Sequence, residues 1–311
     1  FFHKSVLFDE SIELLKVRED GIYLDCTVGA GGHSQGILKL LGEEGLLLGI
    51  DQDEQALQAA EQRLSQIGSN FKLFKKNFEQ LDQVISSAQV SGLDGIIFDL
   101  GVSSPQLDLD ERGFSYRSDA SLDMRMDLNS PSTAASLLAE LNEEELTKIF
   151  REYGEERWAS RIAKFIVQER KELPIERADQ LVDLIRRAIP AAARRKGGHP
   201  AKRTFQALRI AVNRELEVLE PALRKAIAAL NPGGVLVVIT FHSLEDRIVK
   251  NLFREKENPC VCPPNLAVCL CGRKKEIEIL TRKPLVASEQ ELKDNPRAKS
   301  AKLRAVRKIE L

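Results

Sequence analysis

The sequence has no excess of charge of either sign, since 46 basic and 47 acidic residues give a formal net charge of −1. Bulk charge therefore does not indicate a nucleic-acid partner. A long uninterrupted apolar run is also lacking. The uncharged stretch at 226–244 is broken by Asn231-Pro232-Gly233-Gly234, whereas a spanning helix needs about 20 apolar residues. No export signal precedes the first acidic residues, Asp9 and Glu10, so we expect a cytoplasmic protein that does not enter membranes.

Cysteine is scarce, with five residues in 311, and without an export signal we expect reduced thiols rather than disulfides. Cys26 lies in a predicted strand and is expected in the core. The other four, Cys260, Cys262, Cys269 and Cys271, form a C-x-C-x₆-C-x-C pattern. Four thiolates suffice for tetrahedral zinc, but the usual spacing is C-x₂₋₄-C. A proline-flanked hairpin without metal explains the pattern equally well, so the metal content stays open.

The composition is that of a soluble globular protein, with 43% hydrophobic and 30% charged residues. Short apolar runs alternate with helical periodicity in the first hundred residues, which is typical of buried parallel strands in βαβ units. The predicted strands lie at 21–26, 46–50, 71–74, 95–98, 235–240, 277–281 and 306–311.

The strand pattern stops between the fourth and fifth predicted strands. Helical periodicity dominates there instead, for example over 134–141, 143–153, 156–171 and 178–188. We therefore predict an α/β fold, a doubly wound Rossmann-like sheet, with a helical domain inserted after the fourth strand. The predicted boundaries are 1–107 and 213–311 for the sheet domain and 108–212 for the inserted domain.

Three strand ends carry polar chemistry, and ligands of open α/β sheets bind at such ends. The first continues from Asp25 into the glycine-rich turn 29–32, the second ends at Asp51, and the third ends at Asp99. Glycines let the backbone approach a ligand closely, and an acid can accept both hydroxyls of a ribose. These features predict a nucleoside-bearing cofactor. A glycine cluster that merely makes a tight turn is the alternative, and the G-x-G-x-x-G/A dinucleotide fingerprint is incomplete.

Longer blocks of the chain resemble the bacterial 16S ribosomal RNA methyltransferases of the MraW type, which use S-adenosylmethionine to methylate cytosine N4. The blocks run almost end to end: DCTVGAGGHS at 25–34, GIDQD at 49–53, DGIIFDLGVSSPQLD at 94–108, ERGFSYRSDASLDMRMD at 111–127, YGEERWASRIAKFIV at 153–167, HPAKRTFQALRIAVNREL at 199–216 and FHSLEDRIVK at 241–250. The resemblance implies a class I methyltransferase fold with a helical insertion.

The resemblance also implies roles for individual residues. Gly31, Gly32 and His33 would line the methionine end of S-adenosylmethionine, and Asp51 would bind the ribose hydroxyls. The remaining cofactor residues would be Phe78 against the adenine, with Asp99 and Gln106 completing the pocket. From the sequence alone, Phe78 is as well explained as a core aromatic.

Methylation of an exocyclic amine requires the amine to be held in line with the methyl group and its N–H bonds to meet acceptors. The Asp/Asn-Pro-Pro-aromatic turn of many amino-methyltransferases is absent after Asp99. The turn after the fifth strand is the other candidate: Phe241 could stack on the base, and His242 is proposed as a catalytic residue with Asp99. Glu245 and Asp246 are further possible acceptors. Ser243 with Asp246 matches an S-x-x-D capping box, so Ser243 is expected to cap the next helix.

The inserted domain carries a local excess of positive charge that predicts contact with RNA phosphates. Between 186 and 209 there are eight basic residues and no acid, in a stretch whose glycines and prolines predict a loop. Arg194, Arg195, Lys196 and Arg203 are the proposed RNA contacts. A solvated surface is the alternative explanation.

We therefore expect a methyltransferase whose partner is 16S ribosomal RNA or the small ribosomal subunit, with no DNA partner. A non-catalytic ribosome-assembly factor would explain the basic stretch but not the three strand ends. An NAD-dependent dehydrogenase is disfavoured by the incomplete fingerprint. The sequence leaves the oligomeric state open.

Overall fold

The computed structural model describes residues 5–102, 112–116, 119–194, 198–263 and 270–310. Within these ranges the chain divides into two compact units, one formed by Phe1–Gly101 with Leu216–Leu311 and the other by Val102–Glu215. The strands are β1 (Ile22–Asp25), β2 (Leu46–Asp51), β3 (Phe71–Lys75), β4 (Leu93–Asp99), β5 (Leu230–Thr240), β6 (Ile277–Ile279) and β7 (Lys302–Lys308).

The helices alternate with strands in the first unit and follow one another in the second. In chain order they are α1 (Phe8–Leu15), α2 (Gly32–Leu38), α3 (Glu54–Leu64), α4 (Leu81–Ala88), α5 (Ala134–Glu140), α6 (Glu143–Glu152), α7 (Ala159–Glu169), α8 (Ala178–Ala188), α9 (Ala191–Arg194), α10 (Lys202–Asn213), α11 (Glu215–Ala229), α12 (Ser243–Glu257) and α13 (Glu289–Asp294). None of the helices in the described ranges is both long and apolar enough to cross a bilayer.

The described strands form one seven-stranded sheet in the order β3-β2-β1-β4-β5-β7-β6. The strands from β1 to β5 pair in parallel, and β7 runs antiparallel to β5 and β6. Successive residues of a strand face opposite sides of a sheet. One face packs Leu24, Ile96 and Val238 into a core with α4, α11 and α12, and the other packs residues such as Tyr23 and Ile97 against α1, α2 and α3. The predicted doubly wound α/β sheet is thereby confirmed.

The final strand was misplaced by the sequence pattern, which predicted 306–311 instead of Lys302–Lys308. β7 pairs with β5 from Thr240↔Lys302 to Val235↔Arg307. Its basic residues hid it from a search for apolar runs. Arg304 is nevertheless buried, because Asp246 of α12 accepts hydrogen bonds from its Nε at 2.7 Å and its Nη2 at 3.3 Å.

The second unit is a helical body with a core of its own. Phe150, Ile162, Leu181 and Leu208 are fully buried in it, and they come from α6, α7, α8 and α10. This core explains why the amphipathic periodicity of the sequence located these helices to within a few residues. The helical character predicted for the insertion is confirmed, and the unit's role in substrate binding stays a prediction.

Candidate functional site

Three neighbouring parallel strands end in aspartate at one edge of the sheet. Asp25 ends β1, Asp51 ends β2 and Asp99 ends β4. The register aligns Asp25 with Gly49 and Ile97, two residues short of the other acids. Because these strands run in the same direction, their terminal side chains share the carboxyl edge, where α/β sheets bind ligands.

Asp51 holds the glycine-rich turn that follows β1. Its Oδ2 accepts a hydrogen bond from the Gly29 N–H at 2.8 Å, and its Oδ1 accepts one from the Asp53 N–H at 2.9 Å. Gly31 then begins the approach to α2 with φ +79°, and a Cβ there would lie 3.3 Å from the Cα of Ala60 on α3. The turn therefore needs glycine both for its backbone conformation and for its close approach to a helix.

A second set of hydrogen bonds joins β1 to β4. The Asp99 N–H donates to Thr27 Oγ1 at 2.6 Å. Asp25 accepts from the Ser34 hydroxyl at 2.6 Å and from the Thr27 N–H at 3.0 Å. Sequence reasoning did not select Asp25, Thr27 or Ser34 as site residues. The repeated aspartate at strand ends was the available signal for Asp25.

His33 is 4% exposed, and both of its ring nitrogens face protein atoms. Nε2 lies 3.2 Å from the carbonyl oxygen of Val6, so Nε2 must carry the proton, because a carbonyl can only accept. Nδ1 lies 3.6 Å from Asp99 Oδ2. Burial lowers the pKa of His33 to about 4, so the ring is neutral at physiological pH. His33 contacts Asp99 and the N-terminal segment, and its assignment to the methionine end of the cofactor stays a prediction.

Asp99 has a carboxyl oxygen without a protein partner. Its Oδ1 is buried and makes no hydrogen bond to the described residues. The pKa of Asp99 is raised well above its usual range, first by burial and then by the negative charges of Asp25 and Glu245. Burial likewise raises the pKa of Asp25 and of Asp51 to about 6. The edge of the sheet is thus a buried acidic site that would favour a positively charged ligand.

The Phe241-His242 turn follows β5, which pairs with β4 through Asp99↔Ile239. A Cβ on Gly101, in the turn after β4, would lie 3.4 Å from the Phe241 ring, so the two turns are adjacent. Glu245 is 2% exposed, and its Oε2 accepts from the N–H groups of Phe241 at 2.7 Å and His242 at 3.2 Å.

The expected capping box at Ser243 and Asp246 is wrong by one residue. His242 is the N-cap of α12: its Nδ1 accepts from the Glu245 N–H at 3.4 Å, and Glu245 returns the bond. Asp246 forms an ion pair with Arg304 instead of capping α12. A local sequence pattern cannot reveal this interaction, because the two residues lie far apart in the chain. His242 Nε2 is buried and lies 3.1 Å from Glu245 Oε1, a contact of the ring with the carboxylate that does not have hydrogen-bond geometry.

Two other predicted cofactor residues have different outcomes. Phe78 lies in a short 3₁₀ helix after β3 and packs edge-on against Phe98, with ring centroids 5.5 Å apart. It is partly buried beside the core, and its contact with adenine stays a prediction. Gln106 lies outside the described residues.

The basic stretch of the helical unit differs from the expected loop. Arg186 and Arg187 lie on α8, and Lys202, Arg203 and Arg209 lie on α10. Acids from outside the stretch compensate several of these charges through the pairs Arg186–Asp183, Arg187–Glu169 and Arg209–Glu215.

Arg194 and Arg203 are exposed, which leaves them accessible for the predicted RNA contact. The Arg203 guanidinium donates to the backbone oxygen of Glu155 at 3.2 Å. Arg195 and Lys196 lie outside the described residues.

Comparison with known proteins identifies the family of the chain. The sequence profile of the MraW methylase family matches residues 1–309. The chain belongs to the MraW methylase family. The predicted resemblance is thus confirmed.

Relatives within the MraW methylase family align over nearly their whole length. Two proteins named ribosomal RNA small subunit methyltransferase H, from Heliobacterium modesticaldum and Symbiobacterium thermophilum, are each 56% identical over 310 residues. The alignments cover 99% of both chains for the first, and 100% of this chain and 98% of the relative for the second.

Solved structures resemble the chain at lower identity. An rRNA methylase from Streptococcus thermophilus is 13% identical with a TM-score of 0.45, covering 100% of each chain. A SAM-dependent O-methyltransferase from Thermotoga maritima is 10% identical with a TM-score of 0.42, covering 100% of this chain and 68% of that one.

The buried acidic site predicts a specific dependence of stability on pH. Because the pKa of Asp25 is higher in the folded chain than the usual 3.8, its contribution to stability is present below about pH 4 and is lost as pH rises through about 6. Asp25→Asn should therefore raise the free energy of unfolding at pH 8 by about 2–3 kcal/mol, a gain that disappears near pH 4. Urea unfolding at both pH values measures this difference.

The control for this experiment is Asp82→Asn on α4. The hydrogen bond from Lys225 lowers the pKa of this exposed acid, so its neutralisation should give no gain at pH 8. An Asp25→Asn protein no more stable than the unsubstituted chain at pH 8 would contradict the burial of an unfavourable charge.

Proposed function

We propose that the protein transfers a methyl group from S-adenosylmethionine to N4 of a cytosine in small-subunit (16S) ribosomal RNA, at the small ribosomal subunit in the cytoplasm. Membership of the MraW methylase family supports the reaction class, and the names of its relatives support the ribosomal RNA substrate. The observation that carries the choice of an amine is the buried Oδ1 of Asp99 at the carboxyl edge of the sheet, which makes no hydrogen bond to the described residues.

The acidic edge of the sheet fits this cofactor chemically. S-adenosylmethionine would supply an electrophilic methyl group on a sulfonium, and its positive charges would offset the repulsion among Asp25, Asp51 and Asp99. The glycine-rich turn, whose Gly29 N–H is bound by Asp51, would take the methionine end at Gly31 and Gly32. Asp51 would also accept the ribose hydroxyls, while Phe78 and Gln106 would complete the adenine side. His33 would act on the cofactor through Asp99, given its own burial.

Asp99 Oδ1 and His242 Nε2 have the hydrogen-bonding character that the Watson–Crick edge of cytosine requires, one as an acceptor and the other as a donor. Asp99 Oδ1 is an acceptor for an N–H of the N4 amine. His242 Nδ1 accepts the Glu245 N–H bond, so Nε2 carries the ring proton and can donate to cytosine N3. Uracil presents the opposite pattern at these positions, a carbonyl at C4 and an N–H at N3.

Acceptance of the N4–H by Asp99 would stabilise positive charge as it develops on the amine, which is the main requirement of this reaction. Phe241 would stack on the base. Asp99 Oδ1 and His242 Nε2 are both shielded from solvent, so neighbouring side chains would have to move aside as the base enters. The base itself must be unpaired or flipped, since N4 is hydrogen-bonded in a duplex.

Product analysis tests the proposed reaction directly. Small subunits from cells that lack the protein are incubated with it and with methyl-labelled S-adenosylmethionine, and the digested RNA is analysed by chromatography and mass spectrometry. We expect one label per RNA, as N4-methylcytidine. A methyl group on C5 or on a ribose oxygen would refute the assignment, and no transfer at all would favour a non-catalytic assembly factor.

His242→Ser tests the donor role of the imidazole separately from helix capping. Serine is a good N-cap and should preserve the start of α12, but it cannot reach N3. We expect kcat/KM for RNA to fall about tenfold to a hundredfold, since a buried acceptor left unpaired costs about 1–3 kcal/mol. The control is Ser243→Ala, an exposed neighbour in the same turn, which should keep kcat/KM. Unchanged kcat/KM in His242→Ser would remove His242 from the reaction while leaving the N4 assignment intact.

Replacement of Arg194, Arg195 and Lys196 by alanine tests the RNA interface of the helical unit. RNA binding should weaken at low salt, and the slope of log affinity against log salt should flatten by about 0.7–0.9 for each phosphate that the variant no longer neutralises. The control removes three exposed lysines of the sheet unit, Lys39, Lys72 and Lys283, at equal change in charge. Equal slopes for the two triple variants in a filter-binding salt series would contradict a localised phosphate interaction.

A further inference from the structure

A segment between α12 and β6 leaves the sheet unit and returns to it at one place. Its base is closed by the Glu276 N–H, which donates to the Lys256 oxygen at 3.0 Å, and by the Lys256–Glu276 ion pair at 2.5 Å. Glu257 adds a bond from the Ile279 N–H at 3.0 Å. We call the residues between these contacts, 258–275, the excursion; its two ends are held together.

This excursion has no apolar core of its own among its described residues. No residue in 258–263 or 270–275 is buried. Val261 and Leu270 are 63% and 77% exposed, although they are its large apolar side chains in these ranges. Burial of hydrophobic surface therefore does not hold these described residues in one conformation, and small segments without a core usually depend on a cross-link or a metal.

Three cysteine sulfurs converge where the apolar core is missing. The Sγ atoms of Cys260, Cys262 and Cys271 all lie within 4.8 Å of one another. In a tetrahedral zinc site with Zn–S bonds of about 2.3 Å, the sulfurs are about 3.8 Å apart, so only small side-chain movements separate the two arrangements.

A hydrogen bond to one of these sulfurs gives a second indication. The Leu270 N–H donates to Cys262 Sγ at 3.3 Å, a contact that orients a thiolate ligand and stabilises its charge. Arg273, Lys274 and Lys275 follow directly, and their positive charges would offset the negative charge of a zinc–thiolate group.

We propose that Cys260, Cys262 and Cys271 bind one structural Zn²⁺ ion, which orders the excursion between α12 and β6. Each thiol releases its proton to solvent as its Zn–S bond forms, and no oxidation is involved. The sequence offers a fourth sulfur, Cys269, which lies outside the described residues. The C-x-C spacing is tighter than in common zinc knuckles. The sulfurs nevertheless come together, because Cys260 and Cys262 precede the middle of the excursion and Cys271 follows it.

The metal content of the full-length protein tests this proposal. Protein purified under reducing conditions without chelator, then exchanged into metal-free buffer, should contain one zinc per chain by elemental mass spectrometry. The paired substitution Cys260→Ser with Cys271→Ser should reduce zinc more than tenfold. Cys26→Ala, which removes the buried cysteine next to β1, is the matched control and should retain it.

Two further readouts separate a metal site from a fortuitous cluster. Cobalt in place of zinc should give the intense visible absorption of a tetrahedral thiolate complex, absent from the paired variant. Removal of zinc by chelator should accelerate tryptic cleavage at Arg273, Lys274 and Lys275 while circular dichroism of the sheet unit stays unchanged. Zinc content that survives the paired substitution, or an unsubstituted protein that holds no zinc after loading and buffer exchange, would overturn the proposal.

Discussion

The candidate site depends on the burial of several carboxylates at one edge of a parallel sheet. Parallel pairing of β1 with β2 and β4 brings Asp25, Asp51 and Asp99 to the same edge, where their charges repel and burial penalises each of them. Hydrogen bonds from Gly29 to Asp51 and from Ser34 to Asp25 stabilise the charged forms locally. The glycine turn and the turns after β4 and β5 take their positions from this arrangement.

The same arrangement determines which ligands and which protonation states the site favours. An acid whose pKa is raised prefers either protonation or a cationic ligand, and a sulfonium satisfies that preference without a proton. His33 cannot neutralise Asp99, because burial lowers the pKa of His33 and keeps its ring neutral. The bond to the Val6 carbonyl places the ring proton on Nε2, so that Nδ1 faces Asp99 as an acceptor. Asp99 Oδ1 is therefore left without a hydrogen bond to the described residues.

The other parts of the molecule are held by different means. The helical unit has a conventional apolar core around Phe150 and Leu181, on which exposed arginines such as Arg194 can be displayed without loss of stability. The described residues of the cysteine-bearing excursion form no such core, and in our proposal a metal replaces it. In our proposal the helical unit binds RNA and the metal orders the excursion, and neither takes part in the transfer of the methyl group itself.

Local sequence determined strands β1 to β5, the glycine turn and the aspartates that end β1, β2 and β4, because short apolar runs and turn residues act over a few neighbouring positions. Family resemblance supplied the reaction, which no pattern of residues could specify. Tertiary structure alone decided the partners of charged and polar groups. Asp246 turned from a possible cap or acceptor into the partner of Arg304, 58 residues away, and His242 took the cap that was expected of Ser243. The cysteine pattern left a zinc site and a metal-free hairpin open, and the return of the chain to the sheet at Glu276 accompanies the convergence of Cys271 on Cys260 and Cys262.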